Sequence, residues 1–363
     1  MNAAVPAPAN AANGAPVQTD AVVIGAGPVG LFQVFELGLL GMRAQVIDSL
    51  PFAGGQCIEL YADKSIYDIP ATAVCTGREL VARLLKQIEP FTPGFHFGQQ
   101  VDTLVRQPDG RFRIETSAGT QLLASAVVIA GGVGSFQPRR LKVDGLAAFE
   151  GSQLFYRVPE AAALAGRRVL VVGDADAALE CAIDLVSPGP ARAAHVTLMH
   201  RRDEFKAAPH IVETVRRLRA AGQIEFVAAQ ATGIEASARR LSALQVATAD
   251  GATRALPLDT LLVLTGLSPK LGPIADWGLA LERKQLVVDT AKFETSEPGI
   301  FAVGDVNTYA GKKKLILCGF HEATLAAFGA AAHVFPGRPI YLEYTTTSPR
   351  LHRALGVAPA AEQ

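Results

Sequence analysis

A chain of 363 residues, 49% hydrophobic and with 34 glycines, has material for about two domains with separate cores. Its 34 basic and 34 acidic residues balance to a formal charge of +0, which excludes a nucleic-acid binder that relies on a broad basic field. Cys57, Cys75, Cys181 and Cys318 show no CxxC or other metal-ligand spacing, and no run of about 18 apolar residues offers a membrane span.

Residues 1–18, MNAAVPAPANAANGAPVQ, are uncharged and rich in Ala, Pro and Asn. They lack the basic start and apolar middle of a signal peptide and the arginines of a mitochondrial one, so a disordered tail is expected. So few cysteines in so long a chain point to a reducing compartment, here the cytoplasm. From there on, β-branched apolar runs at 21–24, 44–47, 126–130, 168–172, 195–199, 261–265 and 299–303 alternate with helical stretches. That alternation predicts an α/β chain with parallel sheets covered by helices.

The first run leads into Gly25-Ala26-Gly27-Pro28-Val29-Gly30 and then a helical pattern. In this setting GxGxxG is a dinucleotide turn. Gly25 permits the tight bend, Gly27 lets the backbone approach a diphosphate, and Gly30 lets helix and strand pack closely. Asp48, closing the strand AQVID, stands where an acid accepts hydrogen bonds from ribose hydroxyls. An acid there disfavours a 2′-phosphate, so FAD or NAD is expected and NADP is not.

The same strand–turn–helix unit returns about 150 residues later as VLVVGDADAALECAIDLV, which predicts a second nucleotide-binding domain inserted in the first. Its turn keeps Gly173, has Ala178 at the small third position, and carries Asp174 and Ala175 where glycines are usual. An inward Asp174 would repel a diphosphate, and Ala175 would be strained if the backbone needs positive φ. The next strand, VTLMH, ends in His200 and is followed by Arg201 and Arg202. Guanidinium groups at that strand end accommodate a 2′-phosphate, so this turn is read as a working NADP site of reduced affinity. Near the end, TSEPGIFAVGD places Asp305 after a strand, where its carboxylate can bond a polyol such as a ribityl chain. A helix expected to start near Gly319 would direct its positive end at a flavin.

Together, GAGPVGLF, IDSLPFAGGQCIELYADKSIYDIPA, HRRDEF and GIFAVGDVNTYAGKKKLILCGFHEA resemble the ferredoxin/flavodoxin–NADP reductases of the thioredoxin-reductase-like type, from about Thr19 to the C-terminus. The resemblance implies two Rossmann-like, doubly wound, three-layer domains. An FAD domain would comprise 19–138 and 286–363, and an inserted NADP domain 139–285. It implies an FAD site of Gly25, Gly27, Gly30, Asp48, Gln56, Tyr61, Val101, Phe136, Asp305 and Thr346, with Tyr61 and Tyr344 stacking on the flavin. It implies an NADP site of Gly173, Ala175, Arg201, Arg202 and Lys206, the last standing where the family has arginine. A homodimer is also implied.

Thioredoxin reductases of this architecture carry a Cys-x-x-Cys just ahead of the second turn. Residues 142–168 hold no cysteine, so disulfide exchange is excluded. Electrons would pass between NADPH, as hydride, and ferredoxin or flavodoxin, one at a time. No general acid or base is required. Lys312, Lys313 and Lys314 are a candidate docking loop for an acidic carrier. Alternatives are an NADPH-dependent quinone, ferric or oxygen reductase on the same fold, and a flavin-binding sensor with a decayed NADP turn.

Overall fold

The computed structural model describes residues 15–237, 240–249 and 251–357, apart from the side chains of 135–138 and 267–270. Most of the expected tail, 1–14, lies outside these residues. Val17 and Gln18 do not belong to a tail. They open the strand Val17–Ile24 and pair with Leu122 and Leu123.

The chain forms two compact units, Met1–Ser135 with Pro269–Gln363, and Phe136–Ser268. In the first, Val17–Ile24 lies between the parallel strands Ala44–Asp48 and Gln121–Ile129. Gly94–Phe97 extends the sheet on one side and Ile300–Ala302 lies beside Gln121–Ile129, both parallel. The antiparallel strands Val101–Arg106 and Phe112–Thr116 complete it. Ala21, Val22 and Val23 are fully buried in succession, as a strand covered on both faces must be. The helices Pro28–Leu39, Gly77–Ile88 and Ile316–Val334 belong to this unit. Thr76 and Glu79 form a capping box that fixes the start of Gly77–Ile88. Ile316–Val334 packs against Pro28–Leu39. It begins three residues ahead of Gly319, which therefore lies inside it. A Cβ at Gly319 would come 2.4 Å from Val29, so glycine there lets the two helices approach.

The second unit repeats the plan. Leu154–Phe155, Thr260–Val263, Arg168–Val172, His195–His200 and Glu225–Ser237 run parallel in that order. The antiparallel strands Arg240–Thr248 and Thr253–Pro257 extend the sheet. The helices Asp176–Val186 and Pro209–Ala220 follow the strands Arg168–Val172 and His195–His200. The chain is α/β with two Rossmann-like units.

The second crossing between units falls after Ser268, ahead of the expected 285. Residues 269–285 join the first unit because Ile274 and Leu279 enter its core, and Gln285 Nε2 donates to Asp305 O and Asn307 O.

Candidate nucleotide-binding sites

In the first unit the three glycines of the turn have different reasons to be glycine. Gly25 has φ +114, and a Cβ there would lie 2.4 Å from Ala130 O. A Cβ on Gly30 would lie 1.9 Å from Gly25 O. Both are demanded by the fold. Gly27 has φ −69 and ψ 176, and its Cβ would meet nothing nearer than Gly55 Cα at 4.0 Å. The chain itself does not need a glycine there, whereas a diphosphate approaching the backbone does. Helix Pro28–Leu39 starts here without a side-chain cap, so its first N–H groups remain for an anion. The turn fits a dinucleotide.

Asp48 ends its strand beside this turn. Its Oδ2 accepts from Ala26 N at 2.6 Å and its Oδ1 from Leu50 N at 2.8 Å. Burial pushes the carboxyl up from its ordinary pKa, against the pull of these two bonds. The acid thus also braces the turn, a role its spacing did not reveal. Each oxygen keeps a second acceptor site for a ribose hydroxyl. Gly98 N and Gln99 N bond to Leu50 O and Asp48 O, which sets the buried Val101 near the same strand end.

Gly54 and Gly55 have positive φ and seat their loop on the turn, Gly54 N donating to Ala26 O at 2.8 Å. Gln56 follows and its side chain favours the charged form of Asp305. Burial raises the Asp305 pKa, opposed by Lys312, Lys314 and Gln56. Tyr61 is half-buried, its hydroxyl pushed up first by burial. The Cys57 thiol donates to Tyr61 Oη at 3.5 Å. Tyr61 also borders a cavity of about 510 Å³ lined by Leu60, Ile66 and Tyr67. The structure thus brings Gln56, Tyr61 and Asp305 into one neighbourhood.

Other expected members are elsewhere. The side chain of Phe136 lies outside the described residues. Tyr344 is 66% exposed, and among the described residues it has no ring partner. Its carbonyl accepts from Ser348 N at 3.0 Å, and Arg350 Nη2 donates to Leu39 O at 2.9 Å. Leu39 ends the helix that Pro28 begins, about 18 Å away along twelve residues. The segment that follows Tyr344 and Thr346 is thereby anchored at the end of that helix remote from the glycine turn.

Lys312 corrects the docking-loop expectation. Its side chain is 8% exposed and paired with the fully buried Glu322, so it is not a surface cation. Lys313 and Lys314 are exposed. The pairing with Glu322 was missed, although one acid in an alanine-rich helix was the available signal.

In the second unit, a Cβ on Gly173 would lie 2.5 Å from Ala178 Cβ and from Leu264 O, so this glycine serves the fold. Ala175 caps helix Asp176–Val186 at φ −108 and ψ 174, extended like Gly27, so the alanine stores no backbone strain. Asp174 turns toward the strand end, 3.6 Å from His200 Nε2 and 3.7 Å from Lys206 Nζ. His200 Nδ1 donates to Arg202 O at 3.1 Å. Arg219 grips Asp203 with bonds of 2.7 and 2.9 Å and holds its carboxyl below the usual range. Arg201 and Arg202 are exposed, and among the described residues neither guanidinium has an acidic partner. Two free guanidinium groups at this strand end suit a 2′-phosphate.

The pyridine nucleotide-disulphide oxidoreductase family profile matches residues 19–327. A protein named ferredoxin–NADP reductase from Methylibium petroleiphilum is 60% identical, over 98% of this chain and 97% of its own. One of the same name from Albidiferax ferrireducens is 61% identical, over 94% and 97%. Among solved structures, thioredoxin reductase from Lactococcus lactis is similar with a TM-score of 0.60 and 23% identity, covering 87% of this chain and 99% of that one. Bacillithiol disulfide reductase from Staphylococcus aureus gives 0.62 and 16%, with the same coverage. At such identities these two carry the fold alone. The chain belongs to the pyridine nucleotide-disulphide oxidoreductase family, in the branch whose members are named ferredoxin–NADP reductase.

Proposed function

We propose that the chain is an FAD-dependent oxidoreductase that carries electrons between NADPH and ferredoxin or flavodoxin. The unit formed by Met1–Ser135 and Pro269–Gln363 holds FAD, and Phe136–Ser268 holds NADP(H). One contrast supports this best: the strand Ala44–Asp48 ends in a buried acid in one unit, and His195–His200 is followed in the other by Arg201 and Arg202, whose guanidinium groups have no acidic partner among the described residues. An acid suits unphosphorylated ribose and guanidinium suits a 2′-phosphate, so the two turns take different dinucleotides.

In the first unit, Gly27 and the uncapped helix start receive the diphosphate. Asp48 accepts from ribose, Asp305 from the polyol chain, and the Tyr61 ring lies against the flavin. Val101 lines the adenosine side. FAD, when bound, supplies the exchange between two-electron and one-electron chemistry. In the second unit, Arg201, Arg202 and Lys206 bind the 2′-phosphate, and Gly173 and Ala175 shape the turn. The absence of a cysteine pair at 142–168 leaves an external carrier as acceptor. Lys313 and Lys314 offer it cations. The homodimer expected from the resemblance and the cytoplasmic setting expected from the few cysteines, with Tyr344 and Thr346 as flavin contacts, complete the reading.

Anaerobic titration of the purified protein tests it. A yellow protein bleached by NADPH at far lower concentration than by NADH, and then reducing ferredoxin faster than a free quinone, is expected. A colourless protein that takes up no FAD on reconstitution overturns it.

A further inference from the structure

Helix Ile316–Val334 buries Ala323, Ala326, Ala327, Ala330 and Ala331 completely, yet it also carries the carboxylate of Glu322 with no exposed surface. All four acceptor sites of that carboxylate are taken. Oε2 accepts from Gly304 N at 2.7 Å and Asn307 Nδ2 at 2.8 Å. Oε1 accepts from Tyr309 Oη at 2.9 Å and from Lys312 Nζ. Lys312 Nζ donates a second bond, to Gly304 O at 2.8 Å.

Buried ion pairs are poor sources of stability, because desolvation offsets their attraction, and a packed apolar pair serves a purely structural need as well. What an apolar pair cannot do is grip the polar groups of a residue. Here the carboxylate holds the N–H of Gly304 and the ammonium holds its C=O. Gly304 has φ +79, a left-handed conformation that only glycine adopts easily, and it directly precedes Asp305. Gln285 Nε2 adds a bond to Asp305 O at 3.1 Å, so the backbone on both sides of the Asp305 Cα is fixed.

We propose that Lys312 and Glu322 are positioning residues for the flavin: by clamping both polar groups of Gly304 they aim the Asp305 carboxylate at the polyol chain of FAD. This rests on the assignment of FAD to the first unit. The two residues touch no reacting atom. They act through Asp305, and both side chains are buried.

The test is FAD binding to apoprotein, followed by flavin fluorescence, with the visible spectrum and the melting temperatures of apo- and holoprotein. Glu322→Gln keeps the size and removes the charge. It is expected to raise the Kd for FAD about tenfold or more, equivalent to about 1.4 kcal/mol, and to alter the flavin band. The increment that FAD adds to the melting temperature shrinks. The exposed Lys86→Met is the control and leaves the Kd unchanged. A merely structural pair would lower both melting temperatures alike and leave the FAD increment intact. Should Glu322→Gln not fold, Lys312→Met with Glu322→Gln leaves no uncompensated charge inside and carries the same comparison, with Gly304 O deprived of its donor. An unchanged Kd and an unchanged spectrum in the folded variant overturn the proposal. A parent apoprotein that binds no FAD overturns the flavin assignment itself, and the proposal with it.

Discussion

Asp174 and Lys206 are joined twice: Lys206 N donates to Asp174 O at 2.7 Å, and Lys206 Nζ stands 3.7 Å from the Asp174 carboxylate. The acid in the second turn therefore faces the basic strand end and draws Lys206 and His200 toward itself. Lys206 is largely exposed, so the pair is worth at most about 1 kcal/mol. Asp174→Asn is expected to lower the KM for NADPH by about two- to fivefold at low salt, with the gain fading as ionic strength rises. Steady-state kinetics at two salt concentrations check this.

Among the described residues no acid pairs with the Arg201 or Arg202 guanidinium, and the neighbouring Asp203 is occupied by Arg219. Replacing either by alanine is expected to raise the KM for NADPH by about 10- to 100-fold, the loss of a charge-assisted bond. The constants for NADH should barely move. An equal loss for both nucleotides would place the 2′-phosphate elsewhere.

Cys57, Cys75 and Cys181 are buried, and burial pushes the Cys57 thiol up and the Cys181 thiol up to about 12. Only Cys318 is partly exposed. Titration with a disulfide reagent at pH 8 is expected to find one fast thiol in the native protein and four after denaturation. Two fast native thiols would reopen thiol chemistry.

Asp259 takes bonds from Arg168 Nε at 3.2 Å, Arg168 Nη2 at 3.1 Å, Arg168 N at 3.1 Å and Arg240 Nη2 at 3.0 Å. The Arg168 guanidinium is the main cause that holds its carboxyl well below the usual range. A depressed folded-state value means the charged form favours the fold. That contribution is complete above the unfolded value, about 3.9, and is lost as pH falls further toward the folded one. Asp259→Asn is expected to lower the melting temperature at pH 7 and to differ less from the parent at pH 3.

Lys313 remains a candidate for carrier docking, while Lys312 does not. Lys313→Glu is expected to reduce kcat/KM for ferredoxin several-fold at low salt and to flatten its salt dependence. Stopped-flow reduction over a salt series measures it.

The alternation of strands with helices and the two strand–turn–helix units were legible because period and glycine spacing are local signals. Gly25, Gly27, Gly30 and Asp48 fell where their spacing put them. Lys312 did not. Three lysines in a row look alike in sequence, and what separates Lys312 from Lys313 is that the following helix presents Glu322, ten residues on, to it. The bracing of Ala26 by Asp48 is equally tertiary. The second crossing falls earlier than expected because the side to which 269–285 packs depends on Ile274 and Leu279 meeting a core built from distant strands. The bond from Arg350 to Leu39 O, which holds the segment after Tyr344, has no sequence signature.

The bare Cα of Gly27 and the methyl of Ala175 occupy the same step of the same turn in the two units. On the proposed assignment, one cradle admits its dinucleotide to full depth and retains it as a permanent part of the protein. The other, with a methyl and a carboxylate at its mouth, favours quick departure. A catalyst that keeps one nucleotide for life and trades the other at every cycle requires that inequality of residence times.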